Sequence, residues 1–378
     1  MKNKFNPDMD LIRIAFENAN VPVRLVGGCV RDMLLGINPK DWDMTTPALP
    51  DDIISILRAA NIECFDMSNG HGTITAVINS EPYEITTLRQ DLETDGRHAV
   101  VGFTDDWKVD AERRDFTFNA MSMDFDGVIY DYFGGIADLK AGLVRFVGDA
   151  EKRIQEDYLR ILRYFRFLGR MPKPEADVET LAIISANRQG LANISGERIW
   201  SEMKKIFSGE HVDFIMDLMD HSKITGAIDL MINKPAVPAS RDPVTILAAY
   251  IDFAFVEIVC DRWKLSSKEE SQLVYLTNFR NIIDDVKVLK EAIFEGTDRY
   301  YVLELMKIQH RKDDYEILKN WIIPTFPVSG KDLIEIGVKP GPNMGFIIKV
   351  LRKSFVESNY QMTKEQFLSM VDIDKSPE

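Results

Sequence analysis

After Gly148 the chain stops offering β-strands, and this change of texture limits its architecture more than any other feature. Upstream, "VPVRLVGG", "GTITAVI", "YEITTL" and "GVIYDYF" are short runs rich in β-branched and aromatic residues with turn residues between them, and they read as strands. Downstream, "DAEKRIQEDYLRILRYFRFLGR" and "GERIWSEMKKIFSG" carry apolar residues at helical spacing. A compact sheet-containing head over about the first 145 residues, followed by a helical body, is the simplest architecture. The prolines of "MPKPEADVE" mark a bend, because each would interrupt a continuous helix. No fixed-period repeat or low-complexity tract is present, so neither a solenoid nor a long disordered tail is expected. A length of 378 residues favours two or three domains over one.

Cys29, Cys64 and Cys260 are odd in number and far apart, which indicates neither a disulfide framework nor a thiolate zinc site. The start, "MKNKFNPDMDLIR", lacks the apolar core of a secretory signal, and no later stretch is long and apolar enough to span a bilayer. The expected location is the cytoplasm, with no membrane partner. A formal charge of -14 argues against broad affinity for nucleic acid, since a uniformly acidic surface repels phosphate. A local basic track is still open: Arg145 to Lys173 holds eight Lys or Arg against four Asp or Glu, and Pro327 to Lys353 holds five against two. Ordinary surface variation produces such segments as readily as an RNA track does.

Within "RLVGGCVRDMLLGINPKDWDMTT", Asp41 and Asp43 flank Trp42. If extended, this triplet sends both carboxylates to one face and the indole to the core. Paired carboxylates suit Mg²⁺, although a solvated turn would explain a lone D-x-D equally well. Gly27 and Gly28 follow a strand and precede a short helix ended by Gly36. Backbone without side chains there can approach a polyphosphate, but the pattern is neither a dinucleotide fingerprint nor a Walker A loop. Arg31 could contact phosphate while Asp32 orients a donor, or the two could form a structural ion pair. Glu84 would join the aspartates if its strand runs beside theirs; Glu81, before Pro82, reads as part of a turn.

In "DGRHAVVGFTDDWKVDAERRDFTFNAMSMD", Gly96 and its polar neighbours suggest a mobile connection, and His98 has no visible catalytic partner. Arg113 and Arg114 can face phosphates, with Asp115 holding one guanidinium in a fork; an exposed basic doublet is the alternative. Phe116, Phe118 and Met121 read as packing residues, and Asp131 as a brace for the turn at Gly134 and Gly135. The segment Glu156 to Arg170 is expected to be one helix, with Asp157, Arg160, Tyr164 and Leu168 on one side and Arg163, Arg166 and Arg170 nearly opposite. One side could then read a base edge while the other attracts phosphates. A Glu156–Arg160 ion pair accounts for the same residues.

Taken together, "LVGGCVRDMLLG" with "DWD", then "RRDFTFNAM", "DYFGG" and "EDYLRILRYFRF", in this order and spacing, resemble the class II tRNA nucleotidyltransferase and poly(A) polymerase family. The resemblance covers about residues 22–170 and continues more weakly through "ISGERIWSEMKKIF" and "FPVSGKDLIEIGVKPGPNMG". It implies an α+β fold: a polymerase-beta-like nucleotidyltransferase head with a mixed sheet, then an all-helical neck, body and tail. The implied divisions are a catalytic head at 1–145, a base-recognising neck at 146–207, a body at 208–305 and a tRNA-binding tail at 306–378.

The same resemblance implies that Asp41 and Asp43 hold catalytic Mg²⁺, with Glu84 as a supporting carboxylate. Gly27, Gly28, Arg31, Asp32, Arg114 and Asp115 would seat the triphosphate, with Arg163 adding charge. Asp157 and Arg160 would recognise the Watson–Crick edges of CTP and ATP. The implied reaction is addition of CCA to the 3′ end of tRNA: the RNA 3′-hydroxyl attacks the α-phosphorus and pyrophosphate leaves. An A-adding enzyme working with a CC-adding partner, a general poly(A) polymerase and a non-catalytic RNA-binding protein are the competing readings, the last opposed by the intact "DWD".

The segment "DLETDGRHAVVGFTDDWKVDAERRD" resembles the family's flexible region for moving from C to A addition, which disfavours an enzyme stopping after CC. Departures are "DYFGG" for the commoner D-P-F-G-G and "HAVVGF" for H-P-x-x-V-x-F. Ser195 is expected to cap a helix from Gly196, with Glu197 in its first turn. Gly330, Gly337, Gly341 and Gly345 punctuate a basic stretch with Lys331, Lys339 and Lys349, which suits RNA phosphate or ordinary helix turns. The scattered His71, His98, His211, His221 and His310 argue against an appended metal phosphohydrolase domain.

Overall fold

Alternating side chains build the head sheet. The computed structural model describes residues 6–66, 72–94, 99–233 and 238–371. Strands β1 (Arg24–Val26), β2 (Asp43–Thr46), β3 (Glu63–Asp66), β4 (Thr73–Ile78) and β5 (Glu81–Thr87) are followed by the β6 (Arg89–Thr94) and β7 (Ala99–Phe103) hairpin, then β8 (Ser122–Met123) and β9 (Ile129–Tyr130). Seven of them form one sheet in the order β3-β4-β5-β2-β1-β8-β9. Only the β2–β5 pairing is parallel, so the sheet is mixed as expected. On β4, Ile74, Ala76 and Ile78 are buried; on β5, Tyr83 and Ile85 are buried while Glu84 points to the opposite, open face.

Of the head helices α1 (Pro7–Asn18), α2 (Gly28–Leu34), α3 (Pro50–Ala59), α4 (Trp107–Glu112) and α5 (Gly135–Ala141), α2 packs on β1 and α3 on β3, β4 and β5. Pro7 and Pro50 open their helices at positions where a missing N–H costs nothing. Next come α6 (Ala150–Glu156), α7 (Leu159–Leu168), α8 (Val178–Asn187) and α9 (Gly196–Phe207), and the described chain beyond them is helical apart from an isolated Ile232–Ile251 bridge.

Several expectations change here. The segment expected to run as one helix to Arg170 breaks at Asp157, whose φ of -155° and ψ of 104° are extended. Asp41 lies before β2 rather than in it, and Trp42 is half-buried rather than in the core. Glu81 begins β5 instead of sitting in a turn. The stretch read as a mobile connection contributes the β6–β7 hairpin, while Gly96 and His98, like His71, fall outside the described residues. Ser195 does occupy the cap position of α9, but without a side-chain hydrogen bond.

The chain forms two compact units, residues 1–237 with 241–270, and residues 238–240 with 271–378. In the first, Phe116 stacks with Phe118 and meets Phe146 and Phe167, joining the head's core to α7. Phe294, Leu333, Leu351, Phe355 and Phe367 centre a separate core in the second. No described helix is long and apolar enough to cross a membrane.

Candidate active site

Gly27 starts the site because no other residue suits it. Its φ of 71° lies in left-handed territory, and a Cβ there would come within 3.1 Å of Arg114 Nη1. The turn therefore lets a guanidinium lie against backbone. Behind it, Cys29 Sγ donates to the carbonyls of Val26 (3.3 Å) and Asp43 (3.5 Å). Burial pushes this thiol up to about 11, so at neutral pH it keeps the proton it donates.

The parallel register sets Asp43 opposite Glu84. Burial raises the Asp43 carboxyl, Glu84 and Asp41 push it the same way, and Arg114 opposes them. Crowded carboxylates of this kind are relieved by a divalent cation, and their hard oxygens suit Mg²⁺. Asp41 and Asp43 thus fit a metal, although among the described residues no group of three or more His, Cys, Asp or Glu side chains is arranged to hold one.

Arg31 forms an ion pair with Asp32 Oδ1 (2.7 Å) and donates to Asn119 Oδ1 (2.8 Å). Asp32 therefore orients Arg31 itself. Asn119 Nδ2 donates to Asp115 Oδ1 (3.0 Å), and the other Asp115 oxygen accepts from Arg163 Nε (2.8 Å) and Nη2. The fork expected between Asp115 and the arginine doublet is made to Arg163 instead. Burial would raise Asp115, but Arg163 and the hydrogen bonds hold its carboxyl below the usual range. The doublet is held by Asp110, which accepts from Arg113 Nε (2.9 Å) and Nη2 (2.8 Å) and from Arg114 Nη2 (3.1 Å).

On the neck, Asp157 Oδ2 accepts from Arg198 Nη2 (2.7 Å), and Arg160 Nη1 donates to Glu156 Oε2 (2.7 Å). The Glu156–Arg160 pair thus exists across the helix break. Arg163 and Arg166 do not lie opposite Arg160: all three, with Arg170, line one cleft of about 540 Å³, while Tyr164 and Leu168 are core. The expected positions Gly27, Gly28, Arg31, Arg114, Asp115 and Asp157 border the same cleft. A second cleft of about 650 Å³ holds Asp32, Asp41 and Asp43, and shares Gly28, Arg31, Phe167 and Arg170 with the first. Glu84 borders neither cleft.

Phe167, Arg198 and Asn119 lie inside motifs of the sequence but carry no individual signal of a site role there. Phe167 is 4% exposed, and Arg31, Arg163 and Arg166 sit over its ring at 5.1, 5.6 and 4.3 Å. Its apolar periodicity makes it look like core, which it also is. Arg198 stands in "GERIW", but only the fold brings it to Asp157. Asp131 braces its turn as expected, accepting from Gly135 N (2.8 Å) and Ile136 N (2.9 Å).

The Poly A polymerase head domain family matches residues 23–145, and the probable RNA and SrmB- binding site of polymerase A matches residues 176–228. The chain is 41% identical to "CCA tRNA nucleotidyltransferase 1, mitochondrial" of Homo sapiens, over 94% of its own length and 88% of that protein. It is 30% identical to the CCA-adding enzyme of Lactobacillus helveticus, over 94% and 95% of the two chains. The crystal structure of the Bacillus stearothermophilus CCA-adding enzyme in complex with CTP superposes with a TM-score of 0.82, at 27% identity over 98% of both chains.

Proposed function

The chain belongs to the class II tRNA nucleotidyltransferase and poly(A) polymerase family, and on that premise we propose how its residues add CCA to the 3′ end of tRNA. It is a nucleotidyltransferase that uses CTP and ATP and releases pyrophosphate. Assigned roles follow from the two joined clefts. The base sits in the first cleft against Asp157 and Arg160, whose carboxylate and guanidinium offer an acceptor and donors to a Watson–Crick edge. Arg198 and Glu156 hold these two side chains in place. Gly27, Gly28, Arg31 and Arg114 receive the triphosphate, while Asp32 and Asp115 act by orienting Arg31 and Arg163.

Asp41 and Asp43 would hold Mg²⁺ in the second cleft, with Glu84 supporting through its charge on Asp43. Bound there, Mg²⁺ lowers the pKa of the RNA 3′-hydroxyl and offsets charge on the attacking and leaving oxygens. The aspartates position the ion and form no covalent intermediate. The continuity of the two clefts through Gly28, Arg31, Phe167 and Arg170 carries this assignment, since it brings base recognition and metal carboxylates within reach of one nucleotide.

The division into head, neck, body and tail at 1–145, 146–207, 208–305 and 306–378 belongs to the same proposal, with the tail reading the tRNA acceptor arm. So does a cytoplasmic location, which three buried free thiols support. The decisive experiment supplies tRNAs ending before the first C, after C and after CC, with Mg²⁺ and CTP, ATP or both. Sequencing should find all three completed to CCA. Extension of the CC-ended tRNA alone would mean an A-adding enzyme, and long A tails on other RNAs a poly(A) polymerase.

A further inference from the structure

We propose that Arg24 is a positioning residue for the triphosphate seat: held between the rings of Trp107 and Tyr130, it fixes α4 against β1 and so fixes Arg114 beside Gly27. This inference rests on the reading of Gly27 and Arg114 as part of that seat.

Arg24 opens β1 and borders neither of the two clefts. Its guanidinium carbon lies 3.9 Å from the centroid of the Trp107 ring and 3.5 Å from that of Tyr130. A flat, delocalised cation suits such a place, since each ring face presents negative potential to it. The Tyr130 hydroxyl donates to Asp124 Oδ2 (3.1 Å), so that ring is itself held. Among the described residues Arg24 makes no side-chain hydrogen bond or ion pair, and its Nη1 is buried without an acceptor. A buried N–H without a partner is a cost that packing alone does not require, because a leucine would fill the place without it. What holds the charge there is the pair of rings.

The consequence lies at the far end of two elements. Trp107 is the first residue of α4, which ends beside the Arg113–Arg114 doublet and carries the Asp110 that holds both guanidiniums. β1 runs from Arg24 to Val26 and straight into the glycine turn. The two segments therefore meet twice: at Arg24 and Trp107, and again where a Cβ on Gly27 would come within 3.1 Å of Arg114 Nη1.

The spans between these contacts agree. Extended chain from Arg24 to Gly27 covers about 10 Å, and the mostly helical chain from Trp107 to Arg114 also covers about 10 Å. Two segments pinned at both ends over equal spans have no slack. Releasing the Arg24 end lets the Arg114 end drift from the turn, and with it a cation of the seat.

Steady-state kinetics of the full chain with Mg²⁺ test the clamp, with CTP varied on a tRNA ending before the first C and ATP varied on one ending after CC. Arg24→Ala and Trp107→Leu should each raise the KM for CTP and ATP about tenfold, the size expected when a phosphate ligand shifts by part of an ångström. The KM for tRNA should stay unchanged. The double variant should be no worse than either single one, because both break the same contact. Trp107→Phe keeps a ring and should recover most of what Trp107→Leu loses; Arg24→Lys keeps the charge without the flat face and should fall between Arg24→Ala and the parent. A brace serving stability alone would lower the melting temperature of these variants and leave their nucleotide KM at the parental value, which overturns the proposal. Losses that multiply in the double variant overturn it too. Arg114→Ala guards the premise: if it leaves the nucleotide KM unchanged, the seat itself is misassigned. A raised KM in Arg114→Ala with parental values in Arg24→Ala removes the clamp and leaves the seat standing.

Discussion

Asp110 borders neither of the two clefts, yet it decides where Arg114 lies. It is 2% exposed and accepts from Arg113, Arg114 and the backbone N–H of Arg89 at the root of β6. Asp110→Asn turns an acceptor toward those cations into a donor, so the KM for both nucleotides should rise about tenfold with that for tRNA unchanged. In an Arg114→Ala background the same change should add almost nothing, because the effect passes through Arg114. Multiplicative losses would show Asp110 acting elsewhere. Asp43→Ala should abolish Mg²⁺-dependent transfer while circular dichroism stays native; near-normal transfer would remove Asp43 from the reaction centre. Asp115 supplies the pH prediction. Its folded-state carboxyl lies below the usual range, so its contribution is complete above the unfolded pKa of about 3.9 and is lost as pH falls through the folded value. Thermal melts of Asp115→Asn should show lower stability at pH 7 and a smaller further loss on acidification than the parent.

At the scale of elements, the α6–α7 break matters most. Neither Gly nor Pro stands at Asp157 or Tyr158, and the helical spacing runs through both, so local sequence does not announce it. Tertiary contacts impose it: Arg198 on α9 takes the Asp157 carboxylate, and the Tyr158 ring fills the space over Gly190. A Cβ at Gly190 would stand 2.0 Å from that ring. Gly190→Ala should therefore displace Tyr158, cost about 1–3 kcal/mol by overpacking, and weaken CTP and ATP together through Asp157. A variant with native melting temperature and native nucleotide KM would detach the break from base recognition. The β6–β7 hairpin was hidden for another reason: its polar sequence, "RQDLETDGRHAVVGF", lacks the alternation of a half-buried strand.

For the whole molecule, an acidic chain that handles RNA must concentrate its cations. The cleft arginines do so without help from net charge, which makes metal supply the simplest global lever. Chelation by EDTA should stop transfer at once and leave the melting temperature within a few degrees, since Asp41 and Asp43 lie beside the core and not at its centre. Restoring Mg²⁺ should restore activity, and unfolding on chelation would assign the ion a structural role instead.

Sequence alone determined the texture change at Gly148, the paired aspartates behind a glycine turn and the arginine-rich neck, because strand alternation, helix spacing and backbone freedom at glycine are local properties. Tertiary structure decided who holds whom. Asp115 grips Arg163 and not its neighbours; Asp110 grips the doublet; Arg160 and Arg163 line one cleft; Phe167 is at once core and cleft wall. A buried carboxylate takes the guanidinium that the packing of other elements brings within about 3 Å, and that distance is set by the fold rather than by neighbours in sequence.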